Sequence, residues 1–296
     1  MKRLSRNAII GYPAGIITGI TYGLNPLFAI PLMAQGAAIE SILFFRYAIA
    51  VLVLGCYLLI RRGFVKLSMH QVWVLLALGV LYTMSSLLLF ESYQYIASGL
   101  ATTLVFLYPV IVALIMVFLG VVPSWPVWLA IAATFGGVIM MTQGEAGHTI
   151  DPLGVILSIG SAISYSLFIV IINRNRKIAD ISNTLLTFAT LCVGAIIFPV
   201  KMLLSDVTMM NGIEGVGSWF NLLGLAILPT IVSTATLALA TRNIGATKAS
   251  VLGVFEPITA MLVGTLMFGE PLTMSIIVGI SIAIVAVTLM ISLTKR

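Results

Sequence analysis

Apolar residues in this chain come in uncharged runs of roughly 18 to 24 residues, the length a helix needs to cross a hydrocarbon core. Short clusters of charge, Gly, Pro and Asn separate them. Splitting there predicts ten helices, near 11–32, 41–60, 71–93, 99–120, 125–142, 153–172, 182–204, 219–240, 246–268 and 272–293. The basic start MKRLSRNAII resembles the head of a cleaved leader, but the uncharged run continues from Asn7 to Gly36, longer than a leader's apolar core. A retained first span is therefore expected.

Charge fixes the orientation of these spans. With both termini on the cytoplasmic side, the inner segments hold 13 of the 15 basic residues, as the positive-inside bias requires. Lys201 alone falls outside and Arg46 lies within a span, whereas Glu40, Glu145, Asp151, Asp206, Glu214 and Glu270 occupy outer loops. Adding or dropping one helix scrambles this alternation. The expected fold is an all-α membrane protein of ten transmembrane helices with cytoplasmic termini.

The loop at 142–151 divides five predicted spans from five, so the expected units are repeats 1–145 and 146–296. An offset of 148 residues lays YPVIVAL (108–114) over EPITAML (256–262) and matches Pro109 with Pro257. Five-span halves enter the membrane from opposite sides, which makes the repeat inverted, with its two-fold axis in the membrane plane. Such a molecule has two near-equivalent states, the requirement for alternating access.

Composition narrows the function classes. With 60% apolar and 8% charged residues and a mean hydropathy of +1.18, the chain cannot clothe itself for water. A net charge of +6 is scattered between apolar runs and makes no nucleic-acid stripe. Cys56 and Cys192 form no framework, and His70 and His148 lie in loops without paired ligands, so neither a metal nor another cofactor is expected. A G-x-x-x-x-G-K-[ST] loop is missing from the sequence, which removes ATP-driven transport by this chain alone. An enzyme acting on lipid phosphates would carry several Asp, His or Arg residues at one membrane face, and the sequence has no such group.

What remains is polar chemistry at mid-span. Glu256 lies ten residues into the ninth span, at about 15 Å depth by helical rise, where an ionisable group normally faces the bundle interior or a wet cavity. It can exchange a proton as the cavity changes sides, or pair with a cationic solute. The blander alternative is a protonated carboxyl bonded to neighbouring backbone. Pro109 and Pro257 are expected to kink their helices beside the central cavity. Tyr108 takes the place related to Glu256. Tyr22, Asn25, Tyr82, Ser85, Ser86, Tyr165, Ser233 and Thr234 are the other mid-span polar groups, each able to serve either in helix packing or in lining a cavity. Arg46 lies about 8 Å below the outer end of its span, able to snorkel outward, to pair with Glu91 or Glu40, or to bind an anion. Gly15, Gly19 and Gly23 form one face of the first helix, which lets another helix approach closely.

Several of these residues carry a resemblance. Tyr22-Gly23-Leu24-Asn25 in the first helix, Arg46-Tyr47 in the second, and Pro257 followed by Gly269-Glu270-Pro271 within GATKASVLGVFEPITAMLVGTLMFGEPLT (245–273) resemble the EamA group of the drug/metabolite transporter superfamily. In the first half, Pro109 is followed by Gly120-Val121-Val122 and lacks the Glu, and Glu256 stands where a small or apolar residue is usual. The resemblance implies ten helices in two inverted repeats and a cavity formed largely by helices 1, 3, 4, 6, 8 and 9. It also implies export or exchange of amino acids or other small metabolites.

The expected function is a secondary active transporter of small polar metabolites, amino acids or related amines foremost, in the cell membrane. Proton coupling through Glu256 is one option. Its partners are a small-molecule solute and the lipid bilayer, not nucleic acid, and both monomer and homodimer fit. A passive facilitator or channel is the alternative, followed by a non-transporting scaffold or enzyme.

Overall fold

The computed structural model describes residues 6–96, 98–142, 151–204, 208–268 and 273–293, and every regular element among them is a helix. The helices are α1 (Arg6–Tyr22), α2 (Asn25–Ala34), α3 (Ile39–Ile60), α4 (Met69–Ser92), α5 (Ser98–Val105), α6 (Tyr108–Phe118) and α7 (Trp125–Thr142). After these come α8 (Pro152–Arg174), α9 (Asn183–Leu204), α10 (Gly215–Ala226), α11 (Ser233–Ile244), α12 (Ala246–Leu252), α13 (Phe255–Phe268) and α14 (Met274–Leu293). Among the described residues, seven segments are long and apolar enough to cross a membrane: Arg6–Ala34, Ile39–Ile60, Met69–Ser92, Pro152–Arg174, Asn183–Leu204, Gly215–Ile244 and Ala246–Met267. Tyr108–Phe118, Trp125–Gly137 and Ile277–Ile291 are shorter apolar helices. His148 and the loop carboxylates Glu145, Asp206 and Glu270 lie outside the described residues.

Burial is arranged for lipid. Large apolar side chains such as Ile60, Phe118, Leu203 and Val216 are exposed, while Thr18, Asn25, Arg46, Ser85, Ser161, Thr234 and Glu256 are buried. Polar groups turned inward and apolar ones outward invert the soluble pattern, because acyl chains cannot hydrogen-bond and a partner across the bundle can.

Three of the expected spans are interrupted. The helix stops at Gly23-Leu24 between α1 and α2, at Phe106-Leu107 between α5 and α6, and at Gly253-Val254 between α12 and α13. The prolines are therefore not kinks inside continuous helices, as expected for Pro109 and Pro257, but members of a new first turn. Pro26, Pro109 and Pro257 each follow within three residues of a restart, where the first backbone N–H groups need no intrahelical partner and the missing one costs nothing. The eighth expected span stays continuous but passes from α10 to α11 through a π-helical segment, Ile227–Val232, centred on Pro229.

Packing runs in pairs: α7 along α14, α1 along α11, α4 along α8, α3 along α9, and α6 against α12. Gly11, Gly15, Gly19 and Gly23 bring α1 onto the α11–α13 segment. A Cβ on Gly19 would stand 2.8 Å from the Phe255 Cβ, and one on Gly23 would stand 2.5 Å from the Glu256 carbonyl oxygen. The close approach expected at this glycine face is thus made against the backbone that carries Glu256.

Lys201, the basic residue expected outside, is neutralised where it stands. Its Nζ lies 2.8 Å from Glu40 Oε1 and 2.9 Å from Glu91 Oε1, tying the end of α9 to α3 and α4. Lys201→Met leaves two carboxylates facing one another. The expected result is a loss of about 1 kcal/mol in detergent, measured by thermal unfolding and shrinking as salt is raised, because the three groups are partly exposed.

Candidate functional site

The three helix breaks converge. Gly23, in the first, packs on the Glu256 carbonyl beside the third, and the Tyr108 hydroxyl fills the space where a Gly253 side chain would stand. One restart therefore begins with Tyr108 and another carries Glu256 as its second residue. Residues that the 148-residue offset makes equivalent are brought to one place.

Tyrosines wall this place. The Tyr165 ring, from α8, stacks on Tyr22 at 5.8 Å between centroids and meets Tyr108 edge-on at 5.0 Å. From Tyr165 the aromatic contacts continue through Phe168 at 6.2 Å, Tyr82 at 5.3 Å from Phe168, and Tyr47 at 6.0 Å from Tyr82. Tyr22, Tyr108 and Tyr165 all lie within electrostatic reach of Glu256. The Glu256 side chain, in a residue 5% exposed, has no hydrogen-bond or ion-pair partner among the described residues.

The other expected residues divide into two groups. Asn25 opens α2, 2% exposed, and both atoms of its amide are buried without a partner among the described residues. Thr234 donates to the Tyr82 hydroxyl at 3.0 Å, linking α11 to α4 beside the aromatic row. Ser85 is taken up in helix packing: Ser161 donates to its carbonyl at 2.8 Å, and the two hydroxyls lie 3.1 Å apart. Ser86 accepts from the Tyr47 hydroxyl at 2.7 Å.

Arg46 departs from every structural pairing expected of it. It neither snorkels nor meets Glu91 or Glu40, which Lys201 holds; its side chain is wholly buried. The reason lies in the π-helical segment. Pro229 cannot bond the Leu225 carbonyl, the Thr230 hydroxyl donates to that carbonyl at 2.8 Å, and Arg46 Nε donates in turn to Thr230 Oγ1. Nη2 donates to the Pro229 carbonyl at 3.3 Å, and the guanidinium lies 5.7 Å from the ring centres of both Tyr47 and Phe90. Nη1 is buried without a partner among the described residues. A cation and a carboxyl thus flank the same tyrosine row, with Tyr22 in electrostatic reach of both.

Phe168, Pro229, Thr230 and Gly253 were not singled out from sequence. Phe168 and Thr230 look like ordinary span residues, and only the Gly253 to Pro257 run carries a local signal of a break. Among the described residues, no group of three His, Cys, Asp or Glu side chains could hold a metal ion.

The model of the EamA-like transporter family matches residues 9–143 and again 152–292. The chain belongs to this family. Its relatives include an uncharacterized transporter of Archaeoglobus fulgidus, 29% identical over 61% of this chain and 62% of that one. A second, from Synechocystis, is 27% identical over 74% of this chain and 66% of its own length, and YdfC of Bacillus subtilis is 23% identical over 94% and 87%. The matched region therefore spans just under two thirds of the first two relatives. A crystal structure at 14% identity superposes with a TM-score of 0.79 over 98% of this chain and 100% of its own, which shows the fold. The family is one of transporters, and the relatives too are called transporters.

Proposed function

We propose that this EamA-family member is a secondary active transporter that moves amino acids or related amines across the cell membrane by alternating access. The proposed architecture is ten spans in two inverted repeats, 1–145 and 146–296, with cytoplasmic termini. The packing supports it: exchanging the halves maps the α3/α9 and α7/α14 pairs onto themselves, swaps α1/α11 with α4/α8, and carries α6/α12 onto α5/α13. The positions of two breaks nearly agree, since 106–107 and 253–254 lie within one residue of the offset that matches Pro109 with Pro257.

One observation carries the solute class: the Glu256 carboxyl, unpartnered among the described residues, faces tyrosines at the meeting of the broken helices. A carboxylate there attracts an ammonium group, ring faces add cation–π attraction, and a protonated carboxyl releases it. Loading and unloading then follow the proton, which makes exchange of a proton for a cationic or zwitterionic amine the natural cycle. Export or exchange of such solutes fits this cycle.

The test uses purified full-length protein, screened by thermal unfolding against a panel of amino acids, amines, sugars and phosphorylated metabolites, then by counterflow in proteoliposomes. Amines or amino acids are expected to raise the melting temperature and to counterflow. Stabilisation only by sugars or phosphates would overturn the solute class, flux without counterflow would indicate a channel, and no binding at all would overturn the transport reading.

A further inference from the structure

A second site lies at the C-terminal end of α8. The C-terminal residues of that helix and the 3₁₀ turn after it, Arg176–Ile178, form a cleft of about 740 Å³ with the start of α4 and the end of α6. Arg174, Arg176 and Lys177 line it with His70, Asn173 and Asn175, and among the described residues no Asp or Glu contributes to the lining. Asp180 follows soon after in sequence but is not part of the wall.

These cations are uncommitted. Arg242 nearby spends its guanidinium on the Ile181 and Ile178 carbonyls at 2.6 and 2.9 Å, and Lys201 spends its ammonium on Glu40 and Glu91. The side chains of Arg174, Arg176 and Lys177 have no hydrogen-bond or ion-pair partner among the described residues. The wall that carries them is nevertheless fixed: Gln71 donates to the Lys177 carbonyl at 2.8 Å, Asn173 to the Thr241 carbonyl at 3.1 Å, and the Lys177 amide to Asn175 Oδ1 at 3.0 Å. The capped start of α4, with Ser68 and Gln71 bonding reciprocally, adds the positive end of a helix dipole beside His70. A topology bias accounts for basic residues on this side, but not for three of them converging on one concavity that excludes acid.

We propose that this cleft binds the phosphate of an anionic phospholipid headgroup. Apolar surface at the same level selects a lipid over a free ion. Leu119 is itself part of the wall, Phe118 beside it is 89% exposed, and Trp73, one turn along α4 from His70, is 65% exposed, an aromatic where headgroups meet acyl chains. A phosphate seated on the cations puts its acyl chains along Phe118 and Trp73. Basic clefts between membrane helices recognise acidic headgroups by this combination.

The test is lipid retention by the full-length protein in detergent, read by native mass spectrometry with phosphatidylglycerol, phosphatidylcholine and inorganic phosphate as probes. At roughly five-fold per basic group near the membrane surface, Arg174→Gln/Arg176→Gln/Lys177→Gln is expected to weaken phosphatidylglycerol binding about 100-fold and to leave phosphatidylcholine unchanged. Arg61→Gln/Arg62→Gln, on the same predicted side but outside the cleft, is expected to retain it. If the triple variant does not fold, Lys177→Gln alone is expected to weaken binding about five-fold. Equal loss in the Arg61/Arg62 variant, no preference for phosphatidylglycerol over phosphatidylcholine, or full displacement of the lipid by equimolar inorganic phosphate would each overturn the proposal.

Discussion

Glu256→Gln is expected to uncouple solute movement from the proton gradient and to weaken the exchange of amines. One proton moved across a difference of one pH unit carries about 1.4 kcal/mol, enough for a tenfold concentration ratio of a solute exchanged for it. In proteoliposomes under that gradient the unmodified protein should approach a ratio of about ten, and the variant should stay near one. Glutamine keeps the size and the hydrogen-bonding oxygen of the side chain but can neither take up the proton nor pair with an ammonium group, so counterflow of amines should weaken as well. The carboxyl has no counter-ion among the described residues that the change would strand, and the melting temperature should not fall. A gradient-driven ratio near ten in the variant would place the coupling group elsewhere. Counterflow of amines at the unmodified level would mean that Glu256 carries the proton but does not hold the solute.

What the sequence made legible, and what it did not, follows from the range of each signal. Glu256 stood out because a carboxyl inside an apolar run is costly wherever it points, and the structure sets it among tyrosines. The proline positions were readable, but their effect was not: a proline in an apolar run fits a kink in one helix or the first turn of a second, and the backbone on its N-terminal side decides. Gly253 and Gly23 tip that choice, through contacts with residues far away in sequence. Arg46 was misplaced for the same reason. Its acceptors, Thr230 and the Pro229 carbonyl, are nearly two hundred residues away and lie in a π-helical segment. Lys201, the exception to the charge pattern, became intelligible only once Glu40 and Glu91 were seen beside it.

Two alanine substitutions at the converging breaks should separate stability from solute binding. At Gly23 a Cβ would stand 2.5 Å from the Glu256 carbonyl oxygen and 2.7 Å from the Thr259 Cβ, so backbone must part from backbone. Gly23→Ala is expected to cost about 1–3 kcal/mol in thermal unfolding and to shift Glu256 with the strained segment. At Gly253 the backbone angles, φ −60° and ψ −10°, suit alanine, and the main obstacle is the far end of the Tyr108 side chain, whose ring carbon Cζ lies 2.6 Å from the new Cβ, with the Ser250 carbonyl oxygen at 2.9 Å beside it. A ring can swing where a backbone cannot. Gly253→Ala should therefore cost about 1 kcal/mol or less in stability while moving the phenol off its seat, and solute affinity should fall by about tenfold as one wall of the site is lost. If displacement of Tyr108 is the cause, the effect must vanish where there is no phenol to displace. In a Tyr108→Leu background, Gly253→Ala should then lower affinity no further, so that the coupling between the two positions equals the whole effect of the single change. Additive losses would mean that Gly253 acts on the site through the α12–α13 backbone, and that Tyr108 is a neighbour of the site rather than part of its wall.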